Sequence, residues 1–564
     1  MRFIDCVIVV LLLSFPAVQY RAQADAPAAE KGSKMIGFHI DMNMAQYRAD
    51  YLKVWLTELA GRGYNTIVWE LEDGIEWETV PEARQPDALT KDEFRDVLRH
   101  ARELGLENIP LLQTLGHAEY VLQNEKYHYL RANPDDSTQY DPFNPEIVPL
   151  LHAWIAEYLD LFGEVRYFHI GADEARQLNF VQQSDRNTQG LSVSQIFMRH
   201  INAVSEPLIE KNITPIIWAD MVLHHHGAID ELSRDVMLFD WMYDIWRGNG
   251  KVFLWGDKRG LRTRDRLTPE TLELFGKHLF PNGDGPGVDP ETFYSADFLA
   301  DKGFQVVTCP GSSSFGDNVF TPRHEYHLRN TWDSAHKGLD TPTLTGTVLT
   351  SWSVHLHPWE LQHAHIAAVG YLASRPDATR DEFRAWYVQQ KFGLTDARFW
   401  EAAEGLSGLC LFTYTKSLGF SKDCRPVPAD HVSKTIEKIK AEGELDKEIE
   451  TAQKRQKDYA HSLELFTALR QEAQRGDAEL DLWDLAARNL INRAKVSELL
   501  LLSHTDGYDH AAHAERAGEL LAEMQALQGE YEAVYATMIR PSRRALMIGY
   551  MFDAVEAELA KLAR

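Results

Sequence analysis

Cysteine and positive charge are both scarce in this chain. Four cysteines are spread over 564 residues, too few and too scattered for the disulfide frameworks that hold small secreted scaffolds together. Cys6 lies in an N-terminal apolar run, which leaves Cys309, Cys410 and Cys424, with Cys410 to Cys424 as the one pairing expected. Lysine and arginine total 58 against 84 aspartates and glutamates, a formal net charge of -26. An acidic surface of this kind repels phosphate backbones and argues against nucleic acid as a partner. Apolar runs of spanning length are missing, so no stable membrane span is expected once the N-terminal run is removed. No glycine-rich loop follows a strand, and no nucleotide cofactor is indicated.

What is present starts with Arg2, an apolar run over residues 6–18 and the small-residue sequence Ala22-Gln23-Ala24. This is the pattern of a cleavable signal peptide, residues 1–24, cut after Ala24, and it predicts a secreted or periplasmic protein. Residues 25–34 read as a flexible leader. From residue 35 onward short apolar runs alternate with helical patterns, with strands expected over 35–40, 66–71, 109–113, 167–171, 214–219, 236–241, 305–309 and 346–352. Eight strands with crossover helices predict an α/β fold, a (β/α)8 TIM barrel over residues 35–375. The Gly-, Asp- and Pro-rich insertion between residues 243 and 295 reads as a long, partly ordered loop at the active-site end. Residues 376–564 form a C-terminal, mostly helical region whose charged stretches, such as 434–457, read as solvated helix faces. It carries no chemical motif.

The most informative stretch is YFHIGADEAR, residues 167–176: an apolar strand, Gly171, and then two carboxylates, Asp173 and Glu174, at its C-terminal end. Barrel enzymes place their chemistry at that end of the strands. Past the strand the pleat is broken, so both side chains can turn toward the mouth, and Ala172 leaves room beside them. Two adjacent carboxylates repel, which raises the proton affinity of at least one and supplies a general acid near neutral pH. His224-His225-His226, with His324 and His327 downstream, suggest a metal site at first sight. Consecutive histidines do not converge readily on one ion, and no hydrolytic carboxylate-histidine motif accompanies them, so no metal is expected.

His169-Ile170-Gly171-Ala172-Asp173-Glu174 resembles the acid motif of glycoside hydrolase family 20, His-x-Gly-(Gly, Ala or Cys)-Asp-Glu. Other segments resemble the hexosaminidase D-like branch of that family: HIDM at 39–42, WELED at 69–73, PLLQTLGHAEYVL at 110–122, FNPE at 143–146, WADM at 218–221 and TSW at 350–352. They fall in order on expected strand ends across residues 35–375. The resemblance implies an exo-acting β-N-acetylhexosaminidase that releases terminal GlcNAc or GalNAc from glycans without metal or organic cofactor. It also implies substrate-assisted retention, in which the sugar's own acetamido oxygen attacks C1. Carried over, Glu174 is the acid and then the base, while Asp173 orients the acetamido N–H and offsets its developing positive charge. Trp352 matches the tryptophan under the sugar ring, and Tyr243 the tyrosine that fixes the acetamido oxygen. His117 stands where the family has a histidine near the acid. Trp218, Asp220, Glu72 and Asp41 complete the expected substrate-binding set. One departure is plain: Ile36 precedes Gly37 where many members carry an arginine that holds sugar hydroxyls. The gluco or galacto preference therefore stays open, with Glu72 as a replacement anchor. Two rivals also stand, a retaining barrel glycosidase with a protein carboxylate as nucleophile and a non-catalytic carbohydrate-binding barrel. Nothing in the sequence speaks to oligomeric state.

Overall fold

The computed structural model describes residues 34–564 apart from 257, 258, 284, 286, 396 and 421–426. The expected signal peptide, nearly all of the leader and Cys424 lie outside the described residues. Eight parallel strands close into a barrel: β1 Met35–Asp41, β2 Thr66–Glu70, β3 Glu107–Leu111, β4 Tyr167–His169, β5 Thr214–Trp218, β6 Met237–Trp241, β7 Gln305–Cys309 and β8 Gly346–Ser351. Their order around the barrel follows the chain, and β1 pairs with β8 to seal it. Every residue of β2 and of β8 is buried, as expected where both faces of a parallel strand are covered. Val68, Ile109, Leu111, Ile216, Trp218, Met237, Phe239, Val307 and Val348 fill the interior. The register aligns Asp41 with Glu70, Glu70 with Leu111 and Leu111 with His169. Those partners mark one level at the C-terminal mouth, directly beneath the loops.

The insertion after β6 is more ordered than its composition suggests. Lys251–Leu254 and Gly260–Thr263 pair as an antiparallel ribbon, and a helix follows at Pro269–Leu279. Thr268 caps that helix through the Thr271 N–H, and Pro269 occupies its first turn, where a missing N–H costs nothing. Val252 and Leu254 are buried and tie the ribbon to the core.

After the last barrel helix, Trp359–Ser374, the chain is helical, ending in two long antiparallel pairs: Leu445–Glu472 with Asp477–Leu502, and His510–Ala536 with Pro541–Leu562. This region is not a loose appendage, because barrel residues such as Phe38 and Trp359 and C-terminal residues such as Tyr535 and Phe552 belong to one continuous apolar core. The main chain clasps the loop after β1, with Arg48 N–H donating to Met538 O and Arg540 N–H to Gln46 O, both at 2.8 Å. Arg543 reaches the loop after β2 and pairs with Asp73 at 2.6 Å. Cys309 and Cys410 are buried and form no disulfide among the described residues, and the expected Cys410–Cys424 pairing involves Cys424, which lies outside them. Among the described residues no helix is long and apolar enough to cross a membrane.

Candidate active site

The turn after β4 builds the site. His169 accepts the Gly171 N–H on its Nδ1 at 3.0 Å, and Thr114 Oγ1 donates to Ile170 O at 2.6 Å, so the strand is pulled out of the pleat. Gly171, Ala172 and Glu174 then take φ of 63°, 72° and 46°. The left-handed region costs a non-glycine residue on the order of 1–3 kcal/mol, and such strain collects where a side chain must be aimed. Gly171 itself has no room for a side chain, since a Cβ there would lie 2.0 Å from Gln113 Oε1. Burial and the nearby His39 push the His169 ring well below the usual histidine range, so it stays neutral and free to accept.

His117, itself at φ 53°, bridges the two acids. Its Nε2 stands 3.2 Å from Asp173 Oδ2 and 3.5 Å from Glu174 Oε2. The close approach depends on Gly116, where a Cβ would meet the Asp173 carbonyl at 2.1 Å. Asp173 is buried, and its Oδ1 has no hydrogen-bond partner among the described residues. Glu174 keeps part of its carboxyl in solvent, with Arg176 Nη2 at 2.6 Å from Oε1 and Arg259 Nη2 at 4.0 Å from the same oxygen. The Glu174 N–H donates to Asp220 Oδ2 at 3.1 Å. Burial, with the neighbouring Asp173 charge, lifts Asp220 to about 7. Asp220, beside the pair the sequence singled out, is thus a raised acid within this cluster.

Trp352 Nε1 donates to the Tyr243 phenolic oxygen at 3.0 Å, and Thr350 Oγ1 lies 3.3 Å from it. Burial raises the Tyr243 phenol well above its usual range, with Cys309 and Asp173 adding to the shift. An indole only donates, so the phenolic proton is not spent on Trp352. The Trp352 ring is half-buried and packs on His39 at 4.8 Å between centroids. Trp218 lies beneath it at 5.7 Å and is fully buried. The structure thus makes Trp218 a support for the floor and not a surface that touches sugar.

Asp41 and Glu72 sit to the side. Asp41 is 2% exposed and accepts from Ser353 N–H and Oγ and from Asn43 N–H. Its carboxylate fastens the loop after β8 across the seam of the barrel. Burial and the Glu70 charge raise it to about 6. Glu72 is 3% exposed, takes the Asn43 amide on Oε2, and is pushed well above the carboxylate range by burial and by Glu70 and Asp41. Glu70 differs: against the cost of burial, His39 Nε2 at 2.8 Å and Gln113 Nε2 at 2.7 Å hold it below that range. Among the described residues no group of three or more His, Cys, Asp or Glu is arranged to hold a metal ion.

Of the expected set, the structure brings Asp173, Glu174, His117 and Asp220 into direct contact and places Tyr243, bonded to Trp352, within electrostatic reach of Asp173. Trp218 lies below, and Asp41 and Glu72 are engaged in the wall. Arg176 and Arg259 were given no role in the sequence. Arg176 is two residues past the acid, a visible signal, whereas Arg259 arrives only because the ribbon after β6 folds over the mouth.

A closed parallel barrel with an adjacent acid pair at its C-terminal mouth, an aromatic floor and a neighbouring phenol is the arrangement found in barrel glycoside hydrolases. Residues 34–253 match the family model described as glycosyl hydrolase family 20, catalytic domain. Hexosaminidase D of Homo sapiens is 25% identical over 332 residues, covering 57% of this chain and 60% of that protein. Hexosaminidase D of Bos taurus is 29% identical over 327 residues, covering 57% of this chain and 84% of that protein. Among solved structures, the β-N-acetylhexosaminidase of Bacteroides fragilis NCTC 9343 aligns over 68% of this chain and 74% of its own, at 13% identity and a TM-score of 0.45. Residues 34–253 thus match a glycoside hydrolase family 20 catalytic domain, and the chain spans 60% of the human relative's length.

Proposed function

We propose that this protein is an exo-acting hydrolase that removes terminal β-linked N-acetylhexosamine, GlcNAc or GalNAc, from glycans by substrate-assisted retaining catalysis. The observation that carries this reading is a pair of groups matched to an amide. Asp173 Oδ1 is a buried acceptor without a partner among the described residues, suited to the acetamido N–H. Tyr243, near enough to feel the Asp173 charge, has a proton to give to the acetamido carbonyl. Held between them, the carbonyl oxygen is presented to C1 of its own sugar. Glu174 protonates the glycosidic oxygen as the C1–O bond breaks and the amide oxygen closes on C1. The resulting oxazolinium ring carries a positive charge that ionised Asp173 offsets. Glu174, now ionised, takes a proton from water as that water opens the ring, which restores the amide and the configuration at C1.

A protein nucleophile is the weaker reading, because the other acid in contact with the pair is Asp220. It is buried, bonded to the Glu174 N–H and protonated up to about pH 7. Secretion, with cleavage after Ala24, belongs to the same proposal and is checked by N-terminal sequencing of the mature protein. Activity is tested with aryl β-N-acetylhexosaminides and a thiazoline that mimics the cyclised intermediate. The wild type is expected to release the phenol and to bind the thiazoline tightly, and Glu174→Gln to lower kcat/KM by about 10²–10⁴-fold on substrates with poor leaving groups. Equal rates on aryl β-glucosides lacking the acetamido group would transfer the reaction to a protein nucleophile. No turnover of any glycoside would leave a carbohydrate-binding barrel.

A further inference from the structure

Glu174 has two sides. One meets His117, which also contacts Asp173, and Tyr243 with Trp352 bonded to it lies within electrostatic reach of Asp173; these four are taken as the cup for the terminal sugar. On the other lies a separate cavity lined by Glu174, Arg176, Asp220, His224, His225, Trp255 and Arg259, among others, and by none of those four cup residues. A general acid stands beside the bond it protonates, so with the departing sugar in the cup the group beyond the bridging oxygen extends into this second space.

That space sets two guanidiniums beside the carboxyl groups of Glu174 and Asp220. In a chain of net charge -26, two guanidiniums converge here on a single carboxylate oxygen, Glu174 Oε1, at 2.6 Å from Arg176 and 4.0 Å from Arg259. Arg259 is steadied by aromatic faces, 5.1 Å over Trp255 and 5.8 Å from both Trp241 and Phe253. Arg176 has 68% of its side chain exposed and is free to reposition. Guanidinium forks pair bidentately with carboxylate and sulfate groups. Resting on the activity proposed above, we infer that this cavity receives the first leaving-group residue of the glycan, and that Arg176 and Arg259 select a residue bearing an anion, a uronate carboxylate or a sulfate ester. Such an anion draws both guanidiniums from Glu174 Oε1 and releases that oxygen toward the bridging oxygen. Anionic substrates therefore gain in kcat as well as in KM.

The test uses the full chain and blocked disaccharides with the same terminal N-acetylhexosamine and linkage, joined to a uronate, a sulfated hexose or a neutral hexose. At least one anionic substrate is expected to exceed the neutral one in kcat/KM by about tenfold, the scale of a charge-assisted hydrogen bond. The uronate and sulfate arms tell which anion is taken. That ratio falls toward one in the Arg176→Ala/Arg259→Ala double variant and with added salt. As a second measurement on the wild type, a methyl uronide is expected to inhibit aryl glycoside hydrolysis at lower concentration than the neutral methyl hexoside. Equal kcat/KM for neutral and anionic disaccharides, or a preference that survives in the double variant, overturns the inference. If the aryl N-acetylhexosaminide is cleaved under those conditions, only the subsite fails. If it is not cleaved, the underlying activity fails.

Discussion

The backbone N–H of Glu174 is anchored by the buried carboxylate of Asp220 at 3.1 Å. Burial and the Asp173 charge raise Asp220 to about 7, whereas the unfolded chain releases that proton near 4. Between about pH 4 and pH 7 the native state therefore holds a proton that the unfolded state has lost, and stability falls as pH rises through that window. Asp41 and Asp240, both raised to about 6 by burial, act in the same direction. Asp220→Asn keeps an acceptor for the Glu174 N–H and removes the titrating group. Its melting temperature is expected to match the wild type near pH 4 and to exceed it at pH 8. A difference independent of pH in calorimetry would contradict this account.

Tyr243 joins the floor to the proposed chemistry, since its oxygen accepts from Trp352 and its proton is not spent on that bond. Tyr243→Phe removes both functions while leaving the ring that stacks on Trp241 at 5.2 Å. Loss of one aimed donor at a reacting oxygen lowers kcat by about 10²-fold. Steady-state kinetics on an aryl N-acetylhexosaminide should show that fall mainly in kcat, with an unchanged circular dichroism spectrum. A loss confined to KM would mean that the phenol only binds.

Gly116 is a backbone requirement of the acid pair. A methyl group there would stand 2.1 Å from the Asp173 carbonyl and 3.3 Å from Ala175 N. Neither atom is the end of a flexible side chain, so Gly116→Ala must shift the turn that carries Asp173 and Glu174 and separate them from His117. Overpacking of this kind costs about 1–3 kcal/mol, and displacement of about 1 Å at reacting groups costs about 10²-fold in rate. Urea denaturation and kcat should both report it. A fully active Gly116→Ala protein would show that the turn tolerates displacement.

The strands were legible because each is a short apolar run buried on both faces, and 305–309 matches β7 end to end. The strands β3 and β4 were each read two residues past their ends, and β4 stops at His169 because that ring captures the Gly171 N–H. No propensity argument sees that contact in advance. Asp173 and Glu174 could be located from the local motif, but not the raised proton affinity of Asp220, which owes its shift to burial beneath the turn. For Asp41 the sequence allowed a sugar ligand or a loop cap alike, and the closed barrel brings Ser353, 312 residues away, onto its carboxylate. Arg259 lay in an insertion whose short, polar ribbon has too little apolar periodicity to read. Its place beside Glu174 follows from the ribbon's tertiary position alone.

The C-terminal helices reach the mouth through Arg543, whose guanidinium meets Asp73 at 2.6 Å with side-chain exposures of 4% and 0%. Asp73 also accepts from Gln46 at 2.9 Å and Gln85 at 2.6 Å, and it directly follows Glu72, whose carbonyl accepts from Trp77 Nε1. Removing the cation alone leaves a buried carboxylate served only by neutral amides, a loss of about 3–5 kcal/mol. Arg543→Met should therefore lower the stability of the whole chain by that order. Because the loop after β2 carries Glu72 beside the mouth, activity should decline at temperatures well below the transition. Adding Asp73→Asn removes the stranded charge, so the double variant should recover most of the lost stability. A double variant no more stable than Arg543→Met would mean that the arginine acts through its alkyl packing and not through the ion pair.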